Sequence, residues 1–298
     1  MYRHIKELQF AAKPEKPDAD FAGKIQELVG GQFGEMTVMM QYLFQGWNAR
    51  IPGKYKDMIL DIGTEEIGHV EMLSTMIARL LEGAPAETTA RMAASNPGLA
   101  AVLGGMNPQH AIISGGGALP TNSQGIPWNA GYIVASGNLL TDFRSNVHAE
   151  AQSRLQTSRI FHMTDDPGVK AMLKFNLARD TFHQQQWLRA IEELVADGLA
   201  DVIEDSNAEF EDAEQAATYW TLHEGSRGVE GSWAQGRTPV TDQPVRVHDA
   251  TPESTDDALL PPPDPNLFAT YDGSLGAGET GEPSPTQGIV GKVKKALD

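Results

Sequence analysis

The chain has no cysteine among its 298 residues. That excludes disulfides, thiolate catalysis and zinc–thiolate sites, and it suits a reducing compartment or a protein that meets oxidants. No apolar run is long enough to cross a membrane, and the N-terminal MYRHIKELQF is too charged for the apolar stretch of a secretory signal. Basic residues are scarce: 23 Lys and Arg stand against 40 Asp and Glu, a formal net charge of −17. So acidic a surface repels nucleic acid and anionic lipid, and neither is expected as a partner. A cytoplasmic location follows as the expectation. No Ser-His-Asp arrangement stands out. The letters GAGETG at 276–281 match a dinucleotide-binding pattern, but no strand precedes them and Pro283 follows. The SGGG at 114–117 lacks the lysine and helix of a phosphate loop, and reads as a turn in a connection.

What is present is apolar mass and helical periodicity. With 40% hydrophobic residues, 5 Trp, 10 Phe and 11 Met, the chain can build one large core or two modest ones. Four segments repeat apolar residues at alternating steps of three and four. The first, 20–48, aligns Phe21, Ile25, Leu28, Gln32, Glu35, Met39, Tyr42 and Gly46. The second follows Pro52-Gly53 and aligns Ile59, Ile62, Glu66, His69, Leu73, Met76 and Leu80, with Gly83 and Pro85 as its stop. The third, 136–162, aligns Leu140, Phe143, Val147, Glu150, Arg154, Thr157 and Phe161. The fourth starts at Asp166-Pro167 and aligns Val169, Leu173, Asn176, Asp180, His183, Trp187, Ala190 and Leu194, closing at Gly198.

A connection at 82–135, with a short helical piece TTARMAASN, separates the second and third segments. This predicts an all-α fold: a four-helix bundle with one long crossover, the ferritin-like topology. A shorter helix is expected near 206–222. From Gly225 onward the chain is Gly-, Pro- and acid-rich, with PPPDP, GEPSPTQG and a terminal IVGKVKKALD. Such a tail has too little apolar content for a core of its own. The expected division is 1–224 as the bundle domain and 225–298 as an acidic tail that dangles or wraps a neighbouring subunit.

Each apolar stripe is interrupted near its middle. In DIGTEEIGHVEM, Glu66 and His69 stand one turn apart where core residues belong. The other stripes carry Glu35, Glu150, and the pair Asp180 and His183. Helices of similar length packed side by side bring these positions to one level. A di-metal carboxylate bundle uses one Glu from each of two helices and Glu-x-x-His from each of the other two. The second pair departs from that pattern by one methylene, having Asp180 in place of Glu. Residues three apart share a helix face, so each carboxylate–imidazole pair reaches a common centre. Four ionised carboxylates balance two divalent cations, and without metal they would repel one another and hold protons. Glu65 also reaches His69 at i,i+4, but Glu66 shares the side of Ile59, Ile62 and Leu73, whereas Glu65 points nearer Asp61. His148 and His162 lie off the third stripe and read as exposed or structural.

On these residues the chain resembles the manganese catalases, over roughly its first 230 residues. The segments that carry the likeness are YRHIKELQF, GGQFGEMTVMMQYLFQGWN, DIGTEEIGHVEML, PWNAGYI, NLLTDFRSNVHAEAQSRLQ and LARDTFHQQQW. The resemblance implies a dimanganese centre in each subunit of a homohexamer, acting on hydrogen peroxide. Glu66 would bridge both ions, Glu35 and His69 would complete one, and Glu150 and His183 the other. Asp180 would stand outside the metals as a proton relay. Some members have an Arg just before the Glu of the third helix that narrows access. Ala149 stands there, implying a more open route.

Some relatives also bind calcium. Asp57 and Asp61 match their two acids, but the loop reads Thr221-Leu222-His223-Glu224-Gly225, and a histidine suits a hard cation poorly. A surface helix with two solvated acids accounts for the pair equally well. Two other readings of the bundle are a di-iron peroxidase or oxidase of the rubrerythrin type, and a non-catalytic coat or metal-storage relative.

Overall fold

A computed structural model describes residues 4–51, 53–83, 106–200, 214–222 and 226–249. They fall in two units, one within Met1–Asp197 and one within Gly198–Asp264. Among the described residues the first holds six α-helices: α1 (Ala19–Gly30), α2 (Glu35–Asn48), α3 (Lys54–Leu81), the short α4 (Pro108–Ile112), α5 (Leu139–Phe161) and α6 (Pro167–Ala196). Their starts follow from capping chemistry. Asp18 accepts from the Phe21 amide, Asn138 from the Thr141 amide, and Asp166 from the Gly168 and Val169 amides with Pro167 behind it. At the far end of α6, Gly198 takes a positive φ of 67° that ends the helix cheaply. α2 packs along α3 and α5 along α6, with α1 also lying on α3. This is the ferritin-like bundle.

The first stripe does not form one helix. Residues 31–34 interrupt it, and Gln32 is exposed. Gly31 and Gly34 both take extended backbone, which a helix-favouring sequence would have resisted. Gly30 answers a different need. A Cβ there would lie 2.4 Å from the Thr121 carbonyl oxygen and 2.6 Å from its nitrogen. Gly30→Ala is expected to destabilise the protein by about 1–3 kcal/mol through this clash. Thermal unfolding followed by circular dichroism should show the midpoint lower by about 2–4 °C per kcal/mol; an unchanged midpoint would mean the crossover is not seated there. The interruption also makes Glu35 the first residue of α2, where the helix dipole favours a carboxylate.

α3 and α6 bury every residue of their expected stripes. On α5 the buried face is shifted. Leu140, Val147 and Arg154 are only half-buried, while Leu139, Asn146 and Ser153 are fully inside with Thr157. The inner face of α5 is therefore polar, and its partners are amides and carboxylates of α2 and α6.

Buried glutamines seat the described part of the crossover. Gln26 donates to the carbonyls of Leu119 (2.5 Å) and Thr121 (2.7 Å) and accepts from the Leu119 amide. Gln41 accepts from the Val134 amide (2.8 Å), and Gln45 donates to the Val134 carbonyl (2.7 Å). Each satisfies backbone groups that a turn-rich segment leaves open. The expected helical piece TTARMAASN lies outside the described residues.

In the second unit, the expected helix at 206–222 gives way, in its described part, to a 3₁₀ turn and a strand. Glu214–Ala217 forms the turn, and β1 (Thr218–Thr221) pairs in parallel with β2 (Arg246–Asp249), Tyr219 opposite Val247. Thr-Tyr-Trp-Thr is a β-branched and aromatic run that fits a strand better than a helix. Residues 250–298 lie outside the described residues.

Candidate metal centre

α2 supplies Glu35, α3 Glu66 and His69, α5 Glu150, and α6 Asp180 and His183; all six side chains are buried. They sort into two groups of three, Glu35–Glu66–His69 and Glu66–Glu150–His183. Within each group the potential donor atoms lie within 4.8 Å of one another. Glu66 belongs to both. Its Oε2 is 2.5 Å from His69 Nδ1 and its Oε1 is 2.8 Å from His183 Nδ1. Glu35 reaches within 3.6 Å of His69 Nδ1, and Glu150 within 3.8 Å of His183 Nδ1. The two imidazoles stack with centroids 5.7 Å apart.

Asp180 is in neither group. Ser153 Oγ donates to its Oδ2 (3.0 Å), and Asn176 Nδ2 is shared between Asp180 Oδ1 (3.1 Å) and Glu35 Oε1 (2.8 Å). Tyr42 donates its hydroxyl to Glu150 Oε1 at 2.6 Å. Tyr42 had seemed a plain core residue on the first stripe. A phenol opposite a buried carboxylate was not readable before the helices were in place.

The charges are strained without a cation. Burial, then Asp180 and Glu66, push the Glu35 carboxyl up to about 8. Burial, with Glu66 and Asp180, raises Glu150 as well, and Asp180 rises to about 6 for the same reasons, burial first. Burial alone would raise Glu66 too, but the charges of His69 and His183 outweigh it and hold it below the usual carboxylate range. The imidazoles respond in kind. Burial works to lower His183, yet Glu66 and Glu65 lift it to about 10.

The side chains fit a metal pair on a second count. Both oxygens of Glu66 and the inward-facing Nδ1 atoms of His69 and His183 are buried with no aligned hydrogen-bond partner among the described residues. Native proteins rarely leave such groups unpaired, since each costs about 1–3 kcal/mol. Convergent lone pairs of carboxylate oxygen and imidazole nitrogen are the donor set of a first-row divalent ion.

Glu65, which the spacing directs nearer Asp61 than Glu66, belongs to neither group of three. Its side chain is one-quarter exposed, and it grips Arg179 of α6 through both oxygens, Nε to Oε1 at 2.6 Å and one terminal nitrogen to Oε2 at 3.0 Å. Ala149 is buried beside Glu150. His148 and His162 are both exposed. Asp57 and Asp61 are exposed on α3, and Gly225 lies outside the described residues, as do His223 and Glu224.

Comparison with known proteins finds the family. The family model for manganese-containing catalase matches residues 1–278. The chain is 55% identical over 239 residues to a manganese catalase of Bacillus subtilis (strain 168), covering 80% of this chain and 87% of that one. It is likewise 55% identical over 238 residues to the uncharacterized protein YjqC of the same organism, covering 79% and 85%. Among solved structures, the wild-type manganese catalase KatB from Anabaena superposes with a TM-score of 0.64 at 26% identity, covering 85% of this chain and all of KatB. A match that takes in the entire bundle, together with these relatives, places the chain in the manganese-containing catalases, whose reaction is the breakdown of hydrogen peroxide.

Proposed function

We propose that Glu35, Glu66, His69, Glu150 and His183 hold two manganese ions in each chain, and that the site converts two hydrogen peroxide molecules into two of water and one of dioxygen. The observation that carries this reading is Glu66, shared by both groups of three with one oxygen facing each imidazole. In this reading Glu66 would be shared by the two ions, with Glu35 and His69 the further donors to one and Glu150 and His183 the further donors to the other. Carboxylate and imidazole donors accept iron as readily as manganese, so the choice of metal rests on the family.

When bound, the manganese pair supplies the two-electron change that each half of the reaction requires. The rest falls to the protein. Tyr42 holds the Glu150 carboxylate by donating to Oε1. Asn176 keeps Glu35 and Asp180 at a set separation by donating to both. Asp180, outside both donor groups and held by Ser153 on its Oδ2, is the carboxylate placed to take up and return protons beside the site. Trp187 packs on the Tyr42 ring and Phe143 on Trp187, and this buried aromatic cluster shields the Glu150 side of the site from solvent and strengthens charge interactions there.

An oxygen electrode on protein of known manganese content tests this. Loaded protein should evolve dioxygen from peroxide, while His183→Ala should lose both manganese and activity. Asp180→Asn should keep its manganese and lose about 10²–10⁴ in rate, the range of a general acid–base group. No dioxygen from fully loaded protein would end the reading. The same reading extends to a cytoplasmic homohexamer with the acidic tail laid on a neighbouring subunit, and to a calcium ion at Asp57 and Asp61. Native mass and calcium retained after mild chelation check the assembly and the ion.

A further inference from the structure

The outward-facing nitrogens of the two imidazoles point to a role for Glu65. His69 and His183 turn Nδ1 toward Glu66. The carboxylate that meets the opposite nitrogen is in both cases Glu65, with Oε1 3.7 Å from His69 Nε2 and Oε2 3.3 Å from His183 Nε2. One carboxylate thus faces the backs of both rings, one oxygen to each. Its own position is set from across the helix pair by the two-point contact with Arg179. The guanidinium is steadied in turn over the Phe182 ring, 5.1 Å from its centroid.

The spacing is symmetrical: Glu65 precedes His69 by four on α3, and Arg179 precedes His183 by four on α6. Residues four apart lie on one helix face, so each helix presents one imidazole and one half of the ion pair to the other. A two-point guanidinium–carboxylate contact is directional, and it fixes the carboxylate plane as a single lysine contact would not.

We infer that the Glu65–Arg179 pair is the positioning device for both histidines: Glu65, which faces the two Nε2 atoms at 3.3 and 3.7 Å without an aligned hydrogen bond, becomes the acceptor for both Nε2–H groups once the metals are held, leaving both Nδ1 lone pairs aimed inward as metal donors. This rests on the manganese reading above. The physical reason is general, since a ligating histidine needs its other N–H held, and a carboxylate there fixes the tautomer and ring orientation and makes the ring a better donor. Here one carboxylate serves two rings, so the two halves of the site are coupled through a residue that touches neither ion. Glu65 and Arg179 are positioning residues and take no part in the chemistry. The pair also stands at the rim, about one-quarter and one-third exposed, while the rings behind it are fully buried.

Glu65→Gln separates this role from that of a surface ion pair. The amide keeps the shape but offers one acceptor where two N–H groups need one. One manganese per chain should then be held about 10–100-fold more weakly than in the wild type, the usual cost of losing such a partner. Loss of manganese to a chelator should become two-phased, with an altered electron paramagnetic resonance signal from the remaining ions. Arg179→Met leaves both carboxylate oxygens present but untethered, and should loosen both ions to a smaller degree. Arg179→Lys should fall between Arg179→Met and wild type. Circular dichroism of each variant checks that the bundle is intact, and the arginine variants carry the test if Glu65→Gln does not fold. Wild-type manganese retention and resonance signal in folded Glu65→Gln or Arg179→Met would overturn the role while leaving the metal centre standing. Wild-type protein that holds no manganese would instead overturn the centre, and this role with it.

Discussion

Glu66→Gln should strip the site of manganese and abolish dioxygen release, more completely than any other single carboxylate change. Glu66 is the one side chain common to both donor groups, and each of its oxygens faces a different imidazole. It is fully buried, so removing its charge leaves two imidazoles and two raised carboxylates with nothing to organise them. Breaking a buried ionic arrangement by deleting one partner costs about 3–5 kcal/mol. In binding that is roughly a hundred- to several-thousand-fold. Glu35→Gln and Glu150→Gln each remove a donor from one group alone, and should leave one ion measurably bound. Elemental analysis after gel filtration gives the count. Equal manganese loss in all three variants would show that Glu66 has no shared role.

Removing the metal should make stability depend on pH in a definite direction. In the metal-free protein Glu35 is raised from 4.5 to about 8, chiefly by burial. His183 is raised from 6.5 to about 10, with its carboxylate neighbours overcoming burial. A raised group binds its proton more tightly folded than unfolded, so its stabilising contribution is complete below the unfolded value and is lost as pH climbs through the folded one. For Glu35 the loss runs between 4.5 and 8, and for His183 between 6.5 and 10. Glu66 acts in the opposite sense, but as a lowered carboxyl its window lies below 4.5. Between pH 7 and 9.5 the metal-free midpoint should therefore fall by several degrees. Bound cations replace the protons, so the manganese-loaded midpoint should hardly move. Differential scanning calorimetry of stripped and reloaded protein reads both curves. A stripped midpoint that rises over this range would mean the carboxylates and imidazoles do not share one buried site.

How much of this was legible beforehand varies by helix. On α3 and α6 the three–four rhythm of large apolar residues located the inner face, and the structure brings the polar residues on it together. On α5 the same rhythm found Phe143, Glu150, Thr157 and Phe161, but it also took in Leu140, Val147 and Arg154, which lie at the edge, and passed over Asn146 and Ser153 on the inner face. Hydrophobic periodicity has no purchase on a face built from hydrogen bonds. The break at 31–34 was hidden for a related reason: period counting runs straight across a turn of a few residues, and only the folded chain shows why its glycines are there, a Cβ on Gly31 meeting the Glu27 carbonyl and one on Gly34 that of Leu28. Glu65 was set aside because a helix wheel records direction from one axis. It says nothing of a second helix near enough for the carboxylate to face both His69 and His183.

Read alone, the chain determined the long helical segments that carry the site, the donor types and their spacing within each segment, because these depend on local geometry in which residues three apart always share a face. Its acidic balance and lack of cysteine set the chemistry that was possible. Only the tertiary structure decided which carboxylate is shared, that Asp180 stands with Asn176 and Ser153 outside both donor groups, and that Arg179 ties Glu65 behind the imidazoles. Those are matters of register between helices. Register is set by how side chains from separate segments pack and hydrogen-bond, and no one segment carries that information.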